Sequence, residues 1–171
     1  MKHYMLRYGA IAGLISILTI IAGHAMGGTN SGLASQAFGY ASMLVALSMI
    51  FVAIKRHRDR DLGGVITFGQ AVLLGLGVTF IAGVAYVLTW EVYLALTDYQ
   101  FISEYGAQHM AKLKADGASV EEIASFEKIM VTYREAPWFR IPMTFIEILP
   151  VGALVTLVSA GVLRNSRALP A

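Results

Sequence analysis

Cysteine is absent from the 171 residues. That excludes disulfides, thiolate metal sites and cysteine nucleophiles, and it leaves the redox compartment undetermined. Charge is scarce: 14% of residues are Asp, Glu, Lys or Arg, where soluble domains carry about 25%. The formal net charge of +2 is too small to suggest nucleic acid as a partner. Catalytic patterns are lacking too, with no HExxH, no GxSxG, no phosphate-binding loop and no dinucleotide-binding glycines in the right setting. The four histidines, His3, His24, His57 and His109, are scattered and give no metal-ligand spacing. Neither an enzyme nor a metal or organic cofactor is expected.

Apolar residues are abundant: 57% of the chain, with mean hydropathy +0.64, against about 45–50% in soluble domains. The length suits a single domain over residues 1–171. Four apolar spans stand out, at about residues 8–26, 34–54, 68–96 and 138–163. Each meets the rough requirement of 20 residues for a bilayer helix. The third is longer than a bilayer needs, so it must tilt or project into water. The first, preceded by Lys2 and Arg7, has an apolar stretch too long for a signal peptide and is expected to be a retained anchor, with cleavage near Gly23–Ala25 as the alternative.

Lys2 and Arg7, the run Lys55–Arg56–His57–Arg58–Asp59–Arg60–Asp61, and Arg164 with Arg167 all fall on one face of a four-span chain. The first loop on the other face is uncharged and the second is net acidic. By the excess of Lys and Arg in cytoplasmic loops, both termini should be cytoplasmic. The basic run touches the bilayer, so attraction to anionic lipid is its expected consequence.

Residues 99–135 read as an extramembrane helical hairpin. Ile102, Tyr105, His109 and Leu113 share one face of its first helix, and Gly117 is placed to end it. Ser119 and Glu122 have capping-box spacing, and Ile123, Phe126, Met130 and Tyr133 form the stripe of its second helix. The hairpin is expected to be a self-packed cap on the bundle; docking of a protein partner of unknown identity is the alternative. Small residues recur at fourth positions: Gly9 and Gly13; Gly75, Thr79 and Gly83; Gly152, Thr156 and Ala160. Such lines let helix backbones approach, either closing the bundle internally or joining protomers into a homo-oligomer.

The polar residues inside the spans are the candidate site. Glu147 lies about 14 Å below Trp138, where a charge costs at least about 2.5 kcal/mol. Arg140 and Thr144 precede it along one side of the helix, and Pro150 leaves the Ile146 carbonyl without its usual donor, at an expected kink. The Glu147 carboxyl is either neutral and donating or ionised against Arg140. Glu91, among Trp90, Tyr86 and Tyr93, and His24 are the other polar groups at comparable depth, or else belong to an interfacial belt.

Two stretches, "GYASMLVALSMIFVAIKRHRDRDLGGVITFGQA" and "FRIPMTFIEILPVGALVTLVSAGVLR", resemble the bacterial membrane family known as domain of unknown function 4199. The likeness extends over nearly the whole chain and is most specific at Gly63 to Ala71 and Thr144 to Gly152. It implies a small four-span protein of the bacterial inner membrane, it supplies no activity, and it implies that Glu147 and Pro150 belong to the family's pattern. The expected protein is thus an all-α, four-span transmembrane bundle. Its expected role is non-enzymatic, in the lipid bilayer, with a polar intramembrane site. The alternative is a small homo-oligomeric transporter or channel in which Glu147 titrates. A membrane enzyme would need Glu91 or His24 to converge on Glu147.

Overall fold

The computed structural model describes residues 1–25 and 32–165, with the side chains of residues 20, 21, 23–25 and 32–38 outside that description. The chain is all helical: α1 (Lys2–Ala25), α2 (Gly32–Leu47), α3 (Met49–Asp61), α4 (Phe68–Leu96), α5 (Gln100–Ala115), α6 (Val120–Glu135) and α7 (Pro137–Leu163). Among the described residues there is no strand, and one isolated antiparallel bridge joins Ile66 to Asn165.

Three helical stretches are long and apolar enough to cross a membrane: Gly39–Asp61, Phe68–Leu96 and Pro137–Leu163. The last two match the expected third and fourth spans to within a residue. The second is a correction. Its helix does not end near residue 54 but carries the basic run to Asp61, because Ile50, Ala53, Ile54 and His57 form one continuous buried face. Ser48 marks an irregularity between α2 and α3, where its hydroxyl donates to the Val45 carbonyl at 2.6 Å. Such back-bonding perturbs a helix without ending it. α1 carries the expected first span and is not among the three stretches.

The small-residue lines close the bundle internally. The most extensive contacts are those of α1 with α4 and of α4 with α7. Gly9 lies against Ile81, Gly13 against Ala85, and Gly77 against Met5. Both partners advance in step by four residues, so α1 and α4 run parallel. Gly75 meets Thr156, Gly152 meets Thr79 and Gly83 meets Ile148, so α4 and α7 run antiparallel. A Cβ placed on Gly75 would come within 2.5 Å of Thr156 Cγ2. Glycine is therefore what permits this backbone approach. Leu47, Ile50, Ile54, Leu74, Val78 and Ile148 fill the core.

The outer surface is apolar as well. Leu18, Phe80, Leu88, Leu154 and Val162 are each more than half exposed. A soluble monomer rarely shows apolar patches of this extent, whereas a bilayer covers them.

One end of the bundle gathers the basic segments. The Tyr4 hydroxyl donates to Asp61 Oδ1 at 3.0 Å, and His57 Nδ1 lies 3.0 Å from Asp61 Oδ2. Ile66 and Asn165 exchange backbone bonds of 2.9 and 3.0 Å. The start of α1, the end of α3, the start of α4 and the end of α7 are thus tied together at one end of the bundle, the basic end. Gly63 and Gly64 turn the chain there with φ of 59° and 86°, a region closed to most side chains. Thr67 then opens α4 with a complete capping box to Gln70.

At the opposite end stand α5 and α6. Arg134 bonds Ser103, Met130 lies by Gly106, and Phe126 packs on His109, so the two helices run in opposite directions. The Ser119–Glu122 capping box forms as expected, and Gly117 ends α5 with φ 77°. α5 packs chiefly on α6, and α6 connects to the bundle through α7. The pair half-buries its stripe between its own helices, with Ile102 buried and Tyr105, His109, Leu113, Ile123, Phe126, Met130 and Tyr133 half-buried, while Val120, Ile129 and Val131 remain exposed.

Candidate functional site

α7 presents an inner ridge at every fourth position: Arg140, Thr144, Ile148, Gly152 and Thr156 are all buried. Fourth positions stack along one side of a helix. Arg140, at the hairpin end of this ridge, is 1% exposed. Its Nε donates to Glu91 Oε1 at 2.7 Å and its Nη2 to Glu91 Oε2 at 2.6 Å. This is the bidentate fork that makes arginine–carboxylate pairs strong. Its Nη1 donates to the Tyr133 and Arg134 carbonyls at 3.0 and 2.9 Å. These are carbonyls of the last turn of α6, which lack partners within the helix and carry its partial negative charge.

Two more contacts complete the site. The guanidinium carbon lies 5.3 Å from the centre of the Tyr99 ring, a cation–π distance. Tyr99 reaches it because the corner after α4 places both Asp98 and Tyr99 in the left-handed region, with φ of 48° and 58°. That conformation is unfavourable for residues other than glycine and is held here by its surroundings. Behind the ion pair a one-way chain of hydrogen bonds runs from the Trp90 indole to the Tyr133 hydroxyl (3.1 Å), from there to Thr144 Oγ1 (2.9 Å), and from Thr144 to the Arg140 carbonyl (2.9 Å). Trp90 also begins an aromatic column: Phe101 at 5.0 Å, then Tyr105, His109 and Phe126 along the hairpin.

Arg140, Thr144 and Glu91 are therefore brought together, as residues of one polar cluster. Glu147 is not part of it. Arg140 pairs with Glu91 instead, and among the described residues Glu147 has no hydrogen bond or ion pair. Glu147 lies seven residues, about 10 Å along the helix axis, from Arg140, and one residue, or about 100°, from the buried Ile148, so it is exposed beside Ile146, Leu149 and Pro150. Tyr86 is the neighbour within reach of its field. α7 continues through both Pro142 and Pro150 without a break in the helix. The His24 side chain lies outside the described residues. Tyr133 and Tyr99 are the cluster residues that sequence reasoning missed as polar partners.

Nε, Nη1 and Nη2 of Arg140 all donate to the protein's own oxygens, and both Glu91 oxygens are engaged, with the Glu91 side chain still partly exposed. Among the described residues no three His, Cys, Asp or Glu side chains gather in a way that could hold a metal ion.

Apolar helices long enough to span a bilayer, tied at one end by a buried ion pair, define a helical membrane protein. The chain belongs to the family described as "Protein of unknown function (DUF4199)", whose model matches residues 7–165. No curated protein and no solved structure matches it.

Proposed function

We propose that this is a non-enzymatic, four-span protein of the bacterial inner membrane that holds a helical hairpin at a fixed attitude on the outer face. The observation that carries the reading is Arg140, four of whose five N–H groups are engaged: one guanidinium binds the end of α4 through Glu91 and the end of α6 through two carbonyls. A residue so committed is a joint between helices, since a transport or catalytic group needs an open coordination position. The parity of the ends supports four passes. The start of α1 and the end of α7 share the basic end with the α3–α4 turn, so the chain leaves and returns twice. The excess of Lys and Arg at that end supports cytoplasmic termini. α1 then serves as the first span. An accessory or structural role fits a protein whose largest element outside the apolar spans is the hairpin.

Glu147 supports a second reading, a small homo-oligomeric transporter or channel. It lies mid-way along α7, on the exposed side of the helix, with no hydrogen bond or ion pair among the described residues, and ionisable groups at such depth along a span commonly mark ion pathways. Proteoliposomes loaded with a pH indicator separate the two. The joint predicts no proton or cation flux above that of empty vesicles. Flux that Glu147→Gln abolishes while the protein stays folded would establish the transporter and end the first reading.

A further inference from the structure

We infer that the outer face of α3 holds an anionic phospholipid headgroup, bound by Lys55, Arg56 and Arg60. The site deepens the membrane reading and rests on it. An open groove of about 330 Å³ runs along this face, lined by Phe51, Val52, Lys55, Arg56, Asp59 and Arg60. Phe51 to Arg60 covers about 13 Å of helix axis at 1.5 Å per residue. The groove thus passes from the apolar part of the Gly39–Asp61 stretch into its charged end. That is the depth interval over which a phospholipid changes from acyl chain to phosphate.

The division of labour among the charges singles out three of the four cations. Arg58 turns away from the groove's open side: its Nε holds Asp59 at 2.6 Å and its Nη1 reaches the Leu163 carbonyl at 3.3 Å. Asp59, the one acid lining the groove, is thereby neutralised. Lys55, Arg56 and Arg60 are exposed and make no ion pair among the described residues. They offer three unspent positive charges above an apolar floor, so the matching ligand carries a phosphate and an apolar tail. Basic clusters at the cytoplasmic end of a span recognise such lipids by the same complementarity.

The test uses the full chain reconstituted in phosphatidylcholine bilayers with spin-labelled phosphatidylglycerol or spin-labelled phosphatidylcholine as probe. The fraction of immobilised label gives the relative affinity. The wild type should immobilise phosphatidylglycerol preferentially, and each of Lys55→Gln, Arg56→Gln and Arg60→Gln should lower that preference roughly fivefold. Lys112→Gln with Lys114→Gln, on the hairpin, should leave it unchanged. Equal immobilisation of both labels by a protein that floats with the vesicles would overturn the site alone. Failure to float would overturn the membrane reading and the site together. Loss of the preference in millimolar inorganic phosphate at constant ionic strength would reassign the groove to free phosphate and overturn the lipid proposal.

Discussion

Removing the Glu91 carboxylate should be among the most damaging single changes in this protein. Glu91→Ala deletes two charge-assisted bonds of 2.7 and 2.6 Å and leaves a guanidinium whose side chain is 1% exposed. Neutral interhelical hydrogen bonds in membranes average only about 0.6 kcal/mol. Stranding a buried charge is a larger effect, about 3–5 kcal/mol. Glu91 is itself 24% exposed, and the Tyr133 and Arg134 carbonyls still hold Nη1, so the lower end, about 3 kcal/mol, is expected. Arg140→Ala should cost as much by another route, releasing the end of α6. The assay is reversible unfolding in mixed micelles, with the Glu91→Ala/Arg140→Ala double variant closing the cycle. The double variant should be clearly less destabilised than the sum of the singles. A Glu91→Ala loss below about 0.5 kcal/mol, the scale of a surface pair, would refute the argument that this ion pair locks the helices.

Gly75→Ala should destabilise by about 1–3 kcal/mol through overpacking on Thr156, whereas Gly161→Ala, with nothing within 4 Å, should be neutral by the same unfolding assay. Phe126→Asp should abolish amide-exchange protection in residues 100–135 while leaving α1, α4 and α7 protected, since the hairpin packs chiefly on itself; uniform loss of protection would contradict its independence. The Glu122 carboxyl is held below its ordinary range by hydrogen bonds from the Ser119 backbone and hydroxyl. A depressed carboxyl stabilises above its unfolded pKa and loses that contribution as pH falls through the lower folded value. The start of α6 should therefore fray below about pH 4, and Ser119→Ala should remove the pH dependence in an exchange measurement.

The apolar spans were legible because a bilayer demands about 20 apolar residues in a row, a signal that survives without knowledge of tertiary contacts. The hairpin's capping box and Gly117 were legible because caps are local chemistry. The small-residue lines announced close packing, and only the fold could say that they face α1, α4 and α7 rather than another protomer. Charge reads as a loop in sequence, so the second span ends there at the first basic residues, whereas the buried face through His57 keeps the helix going to Asp61. The site was half legible. Depth alone singles out Glu147, but it stands about 10 Å along the helix from Arg140 and faces outward beside the buried Ile148. Glu91 and Arg140 are 49 residues apart, so spacing could not pair them. Their shared nearness to the hairpin ends of adjoining helices was the available clue, with Glu91 five residues before the end of α4 and Arg140 three residues after the start of α7. Tyr99 was hidden by a left-handed corner that no glycine marked.

The arrangement of the chain across the bilayer is the claim on which the rest depends, and the natural absence of cysteine makes it directly measurable. Single cysteines at Ser119, on the hairpin, and at Arg60, at the basic end, should differ in reactivity toward a membrane-impermeant thiol reagent applied to intact spheroplasts. Labelling at residue 119 and protection at residue 60 until the membrane is permeabilised is the predicted result. Labelling of both from outside, or the reverse pattern, would contradict the four-span orientation.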